Sequence, residues 1–131
     1  MAFEFPWPTS NGEWLAWSSA AVTILFGLIM LFLPKIGLRI LRLQTAPEHP
    51  EALAEARATM SGFYLGLGIC CILLAQPLLY LALGFSWLFT AFGRIVSMLS
   101  DRGNTLYNWI SVVIELLLAG LALAFSLGFV P

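Results

Sequence analysis

Long stretches without charged residues dominate this sequence of 131 residues. Residues 14–34 carry no charge over 21 positions, and residues 58–93 carry none over 36. A third stretch, residues 105–130, is apolar except for Glu115. A helix needs about 20 apolar residues to cross the ~30 Å hydrocarbon core of a bilayer. The middle stretch is therefore long enough for most of two helices, and the lengths indicate a membrane protein.

The composition supports this interpretation. Only 10% of the residues are charged and 60% are hydrophobic, whereas a soluble domain has about a quarter charged residues. A chain this short exposes much of its surface, and so few charges could not keep that surface in water. The net charge of −1 also excludes a basic nucleic-acid-binding protein.

The dipeptide Gln76-Pro77 lies near the centre of the middle stretch. Proline lacks a backbone donor and clashes with a preceding helical turn, so this dipeptide predicts a tight turn between two helices. Helices are expected because each membrane segment must satisfy its own backbone hydrogen bonds. We predict a single all-α transmembrane domain over residues 1–131, a four-helix bundle of two helical hairpins. The predicted spans are residues 14–34, 58–75, 78–99 and 105–128.

The basic residues predict the orientation of the spans. All six lie in or beside two connections: Lys35, Arg39, Arg42 and Arg57 in the first, and Arg94 and Arg102 at the second. Because basic loops stay on the cytoplasmic side, we expect both termini on the outer side of a bacterial inner membrane. The connection 35–57 begins with basic residues at i, i+4 and i+7, which is typical of a short helix in the headgroup layer. Ordinary flanking charge explains these residues most simply, and a specific anionic-lipid site is the alternative.

Polar residues inside the apolar spans are the candidate functional residues. Glu115 lies near the bilayer centre, where a charge costs about 2.5–3.5 kcal/mol. Arg94 on the preceding span differs from it in depth by only ~6 Å, within reach of an arginine side chain. Three spans each carry a polar stripe in the cytoplasmic half: Arg57, Ser61 and Tyr64; Arg94, Ser97 and Asp101; and Asn104, Asn108, Ser111 and Glu115. The stripes indicate either a buried Arg94–Glu115 pair with helix-joining hydroxyls, or a cytoplasm-facing polar pocket for a headgroup, a small amphiphile or a proton.

Small residues recur every four positions on two of the spans. They are Gly62 and Gly66 in the second span, and Gly120, Ala124 and Gly128 in the fourth. Such faces allow membrane helices to approach closely, so we predict helix packing there, within the bundle or against a partner. The sequence contains no phosphate-binding loop, zinc-binding motif or redox cysteine motif, and we expect neither a cofactor nor a metal.

Three segments together resemble a family of bacterial membrane proteins, domain of unknown function 4345, which is loosely grouped with DoxX-like proteins. The segments are Arg57–Gly68, Phe92–Asp101 and the late Glu115, and the resemblance covers about residues 14–128. It implies a short four-helix membrane bundle and no established activity. Members often have two adjacent glycines where this chain has Ser61-Gly62. The positions expected to match the family pattern are Arg57, Gly62, Tyr64, Gly66, Gly93, Arg94, Ser97, Asp101 and Glu115.

The sequence leaves several functions open. We expect a non-enzymatic accessory or interaction subunit, embedded in the lipid bilayer and packed against a membrane-protein partner or a second copy of the chain. The alternative is a membrane binding protein or carrier for a small hydrophobic or amphiphilic ligand, which would occupy the polar pocket. An enzyme acting on a lipid-like substrate, with Glu115 as acid and base, is a third hypothesis. Open space beside Arg94 and Glu115 would favour the ligand-binding function.

Overall fold

The computed structural model describes residues 4–131, and this range contains helices and no strand. In chain order the helices are α1 (Asn11–Phe32), α2 (Pro34–Ile40), α3 (Glu51–Leu74), α4 (Pro77–Ser100) and α5 (Leu106–Ser126). All except the short α2 are long and apolar enough to cross a membrane. The predicted fold class, an all-α protein with four membrane-spanning helices, is confirmed.

Local chemistry explains the ends of the long helices. The hydroxyl of Ser10 accepts a 3.2 Å hydrogen bond from the backbone N–H of Glu13 at the start of α1. Thr105 caps α5 in the same way. Pro77 occupies the first turn of α4, where no backbone donor is needed. Ala75 adopts a left-handed φ of 51°, so the chain reverses in the two residues between α3 and α4.

Helix α3 begins at Glu51, ahead of the charge-free run, and contains a π-helical turn at Ala56–Met60. Arg57 lies in this turn, and its Nη1 donates a 3.0 Å hydrogen bond to the carbonyl oxygen of Leu31. That carbonyl belongs to the last turn of α1, where backbone acceptors have no partner within their own helix. The arginine therefore joins the end of α1 to the beginning of α3.

Helix α1 packs between α3 and α5, whereas α4 packs mainly on α5 and contacts α3 much less. The N–H of Gly12 donates a 3.0 Å hydrogen bond to the carbonyl of Pro131. Tyr80, at the start of α4, packs edge-on against Phe125 near the end of α5. The α3–α4 turn therefore lies at the same end of the bundle as residues 12 and 131. Helix α2 and the two connections with basic residues lie at the opposite end.

The glycines predicted at helix contacts do not face another helix within residues 4–131. A Cβ atom added at Gly62, Gly66 or Gly120 would meet no atom within 4 Å, because these exposed positions face away from the bundle. Gly128 follows α5 with a φ of 83°, so it ends the helix and does not extend the face of half-buried Ala124. Within residues 4–131 these glycines therefore do not hold two helices together, and contact with a partner is the remaining alternative.

Three other glycines lie where helices approach closely, namely Gly27, Gly68 and Gly84. A Cβ atom added at Gly68 would lie 2.6 Å from the side chain of Ile24 and 3.1 Å from the carbonyl oxygen of Ala20. Small residues recur on more than one face of α3, and their spacing alone does not show which face meets α1.

Buried hydroxyl groups connect α1 to the other helices. Ser19 donates a 2.8 Å hydrogen bond to the carbonyl of Leu118 on α5. Trp87 of α4 donates a 2.9 Å hydrogen bond through its indole N–H to the hydroxyl of Thr23. Ser19 and Thr23 are almost completely buried, and hydrogen bonds between membrane helices contribute about 0.6–2 kcal/mol each. Interhelical hydrogen bonds therefore stabilise the interior of the bundle together with apolar packing.

Candidate functional site

Arg94 and Glu115 form a two-point ion pair between α4 and α5. The Nε of Arg94 donates to Oε1 of Glu115 at 2.7 Å, and Nη2 donates to Oε2 at 3.2 Å. The Glu115 residue is only 5% exposed, and the Arg94 side chain is 24% exposed. The contact predicted between these residues is therefore present. A paired, parallel arrangement of this kind fixes both the separation and the orientation of the two groups.

Asn108 holds the remaining side of the guanidinium group. Its Oδ1 accepts a 3.0 Å hydrogen bond from Nη1 of Arg94, and its Nδ2 donates to the carbonyl of Gly103 at 2.7 Å. The connection between α4 and α5 is thereby tied to the ion pair. Arg94 cannot turn away from Glu115 without breaking this network.

A cavity of about 290 Å³ lies beside the ion pair, in the half of the bundle that contains α2. Its walls are mostly apolar. The lining residues are Phe26, Ile29 and Met30 of α1; Gly37, Ile40 and Leu41 in or just after α2; Tyr64 of α3; Trp87, Thr90 and Arg94 of α4; and Tyr107, Ile110, Ser111, Ile114 and Glu115 of α5. Ile40, Ile110 and Ile114 are about half exposed, so the cavity reaches the surface of the bundle between α2 and α5.

Aromatic rings form one wall of this cavity. Tyr64 stacks on Trp87 with ring centroids 5.9 Å apart, and Phe26 meets the same indole edge-on at 6.0 Å. The hydrogen bond to Thr23 fixes the orientation of the indole. Among residues 4–131 the hydroxyl of Tyr64 has no hydrogen-bond partner, although its ring is held in place. It is therefore a positioned polar group that is free to bond to a ligand as far as the described residues are concerned.

Tyr107 closes the end of the cavity near the basic connections. Its hydroxyl donates a 2.7 Å hydrogen bond to the carbonyl of Ile40, the last residue of α2. The guanidinium of Arg42 lies over the Tyr107 ring, 4.9 Å from its centroid, a distance at which a cation is attracted to the ring face. These contacts hold α2 against the beginning of α5.

The structure brings together only part of the polar pocket predicted from the three stripes. The residues that line the cavity are Tyr64, Arg94, Ser111 and Glu115, with Asn108 directly behind Arg94. The remaining predicted residues are used elsewhere: Arg57 bonds to α1, Ser61 is buried outside the cavity lining, and Ser97 bonds to Asp101 at 3.0 Å. The polar stripes therefore meet at one cluster and do not form a continuous channel.

The aromatic and apolar walls of the cavity are not evident from the sequence. Phe26, Ile110 and Ile114 cannot be distinguished by type from residues that face lipid. Trp87 could have been singled out from the sequence, because tryptophan in membrane helices is enriched at the interfaces. This one lies in the middle of α4. A mid-span indole N–H needs a polar partner, which here is Thr23.

Among residues 4–131 the structure brings no three histidine, cysteine, aspartate or glutamate side chains together as metal ligands. The candidate site combines an apolar cavity with one compensated charge pair and, among the described residues, one hydroxyl without a hydrogen-bond partner. Such a combination can bind a mainly apolar molecule and orient it through a single polar group.

The family model "Domain of unknown function (DUF4345)" matches residues 13–126 of the chain. No curated protein and no solved structure gives a significant match. The match covers the four long helices, apart from the first two residues of α1, and every residue that lines the cavity. The four-span fold and the Arg94–Glu115 site are thus features of a chain that belongs to the DUF4345 family.

Proposed function

We propose that this protein binds a small, mainly apolar molecule with a neutral polar group, which enters the cavity from the membrane. The observation that supports this proposal is the open space of about 290 Å³ beside the buried pair of Arg94 and Glu115. A pair that served only to fix helix register would be expected to be enclosed by packed side chains, since protein interiors are close-packed.

The charge of the pair favours a neutral ligand. Arg94 and Glu115 compensate each other, so a ligand with a net charge would remain unpaired among apolar walls, at a high cost in free energy. Arg94 uses three guanidinium donors in its bonds to Glu115 and Asn108, and a guanidinium group has five. A hydroxyl, carbonyl or amide could therefore bond to the spare donors, to the carboxylate lone pairs or to Tyr64.

The size and position of the cavity limit the ligand further. Its volume lies at the lower end of the ~300–1,000 Å³ typical of small-molecule sites, which suits a small molecule or part of one acyl chain. The half-exposed rim on α2 and α5 faces lipid, so a membrane-dissolved molecule could enter without crossing water. These features favour a binding protein or carrier over an accessory subunit that lacks a ligand.

We also propose that the end containing α2 faces the cytoplasm of a bacterial inner membrane, with both termini outside, because all six basic residues lie in that half. Single cysteines introduced at Ser10 or Pro131, with Cys70 and Cys71 replaced, should react with a membrane-impermeant maleimide added to intact cells. Cysteines at Gln44 or Gly103 should react only after permeabilisation. The reverse pattern would overturn the orientation.

Ligand binding can be tested by extraction in mild detergent and mass spectrometry of the co-purified small molecules. Ser111→Phe should fill the cavity and lower the ligand content about tenfold or more, equivalent to ~1.4 kcal/mol. Val113→Phe is the matched control, because Val113 is an exposed residue of the same helix outside the cavity lining. An identical small-molecule content in both variants and the wild type would refute the proposal.

The role of the Tyr64 hydroxyl gives a second arm of the same experiment. Tyr64→Phe keeps the ring stacked on Trp87 and removes only the unused hydroxyl, so ligand content should fall while thermal stability stays unchanged. Tyr80→Phe, which alters a tyrosine outside the cavity lining, should leave ligand content unchanged. Equal ligand content in the two variants would remove Tyr64 from the site.

A second candidate function is an accessory subunit, and the outward-facing glycines support it. Gly62 and Gly66 form an exposed small-residue face on α3 that meets nothing within residues 4–131, and such faces allow close approach of another membrane helix. Gly66→Leu should then abolish co-purification of a membrane partner without lowering the thermal stability of the isolated chain. Unchanged co-purified proteins in a mild-detergent pull-down would argue against this function.

A further inference from the structure

A groove with three cations lies on α2 and the residues that follow it, separate from the cavity. Its volume is about 530 Å³, and Lys35, Arg39 and Arg42 line it together with Thr45. No acidic residue is among the lining residues. The cavity uses other positions of the same segment, such as Gly37 and Leu41, so the two sites lie on different sides of α2.

The local backbone gathers these cations. Lys35 and Arg39 are one helical turn apart, and Arg42 follows where α2 ends. Arg42 has a φ of 61°, a left-handed conformation that usually requires glycine. The N–H of Leu43 donates a 2.7 Å hydrogen bond to the carbonyl of Leu38, and the Arg42 N–H donates to the Arg39 carbonyl. This reversal turns the chain so that Arg42 lines the same groove as the two cations of the helix, while its guanidinium also lies over the ring of Tyr107.

The three cations are not neutralised within the described chain. Among residues 4–131 none of them forms an ion pair, whereas Arg94 is paired with Glu115. Arg57 is also engaged, through its bond to the carbonyl of Leu31. Three exposed cations around one concave surface therefore leave a local excess of positive charge, which favours an anion.

The surroundings of the groove place it at the depth of lipid headgroups. Leu33, Ile36 and Ile40 are exposed apolar residues of the same segment, next to the end of the membrane-spanning α1. A short helix with exposed apolar and basic residues lies in the interface between headgroups and acyl chains. Arginine and lysine side chains grouped there match phosphate oxygens in geometry and charge.

We infer that this groove is a phosphate-binding site that holds the headgroup of an anionic phospholipid. The guanidinium groups of Arg39 and Arg42 and the ammonium group of Lys35 contact the phosphate oxygens, and the Thr45 hydroxyl is placed to donate to the same anion. The bound headgroup would hold α2 in the interface, and α2 in turn forms part of the cavity wall. This inference does not depend on which ligand the cavity binds.

The test is native mass spectrometry of the detergent-solubilised protein, titrated separately with phosphatidylglycerol and phosphatidylcholine. The wild type should retain phosphatidylglycerol preferentially. The triple variant Lys35→Gln, Arg39→Gln, Arg42→Gly should lose that preference by at least about tenfold, since each basic residue near an anionic surface contributes on the order of 1 kcal/mol. Glycine is chosen at position 42 because it fits the left-handed backbone.

Arg102→Gln is the matched control, because Arg102 is an exposed cation at the same end of the bundle and lies outside the groove lining. It should retain phosphatidylglycerol like the wild type. The double variant Lys35→Gln, Arg39→Gln keeps Arg42 and its contact with Tyr107, and should show an intermediate loss even if the triple variant is unstable. Equal retention by the wild type, the double variant and the control would overturn the inference.

A further arm distinguishes a lipid headgroup from free phosphate. Millimolar inorganic phosphate should neither displace phosphatidylglycerol from the wild type nor raise its melting temperature. If inorganic phosphate competes fully, the groove binds soluble phosphate and the assignment to a lipid is wrong.

Discussion

At the scale of single residues, the buried ion pair of Arg94 and Glu115 joins α4 to α5. A lone carboxylate near the middle of an apolar helix is costly, and the guanidinium group compensates it at two points, 2.7 and 3.2 Å away. This pairing could be predicted from the sequence, because depth along the two helices brings the residues level. The third contact, to Asn108, could not be ranked above other polar residues of the same stripe.

Removing either charge should destabilise the bundle. Arg94→Gln leaves the buried Glu115 without its partner, and Glu115→Gln leaves the cation, so each should lower the free energy of unfolding by about 3 kcal/mol. We use the lower end of the range for breaking a buried pair, because the Arg94 side chain is 24% exposed and water partly screens its charge. Combining the two substitutions should cost less than the sum. Denaturant unfolding in detergent measures this cycle, and strictly additive effects would contradict direct coupling.

A second prediction concerns the contribution of the hydrogen bond between Trp87 and Thr23 to stability. Thr23→Val removes the acceptor of a buried indole N–H and should cost about 1–3 kcal/mol. Thr90→Val is the control, since the Thr90 hydroxyl is exposed and donates only to Ser86 of its own helix. Similar melting temperatures for the two variants would show that the interhelical bond does not contribute.

At the scale of helices, the sequence predicts which segments form helices better than it predicts which face of a helix packs against its neighbours. Charge-free runs identify four spans, and Gln76-Pro77 marks the turn before α4 because proline stops a helix from continuing. The start of α3 at Glu51 could not be read from hydropathy, since charged residues interrupt the apolar ones before Ala58. Pro50 followed by an acidic first turn predicts a helix start there instead. Nor could the spacing of Gly62, Gly66 and Gly68 show which glycine meets α1, because adjacent faces of α3 carry similar residues.

The glycines of α3 provide a matched comparison. Gly68→Ala introduces a Cβ atom 3.1 Å from the carbonyl of Ala20 and 2.6 Å from Ile24, so it should destabilise the bundle by about 1–3 kcal/mol. Gly66→Ala, half a turn away, meets nothing within 4 Å and should be neutral or slightly stabilising, because alanine favours helices over glycine. Thermal unfolding of both variants decides this, and equal destabilisation would contradict the described packing of α1 on α3.

At the scale of the whole molecule, α3 and α4 are in weak contact and α2 meets α5 at Tyr107, so space is left around the ion pair. A four-helix bundle of regular, closely packed helices would have none. The sequence predicts converging polar stripes, but the volume and apolar walls of the cavity depend on how helices of similar composition splay apart. No single residue type encodes that geometry, so only the polar members of the site could be anticipated.

The most direct measurement is a crystal structure of the protein extracted in mild detergent without removal of bound lipids. We predict electron density for an elongated molecule in the cavity beside Trp87. Its polar end should lie within hydrogen-bond distance of the Tyr64 hydroxyl or of the Arg94–Glu115 pair. A cavity filled by the protein's own side chains, or occupied by water alone, would contradict the account.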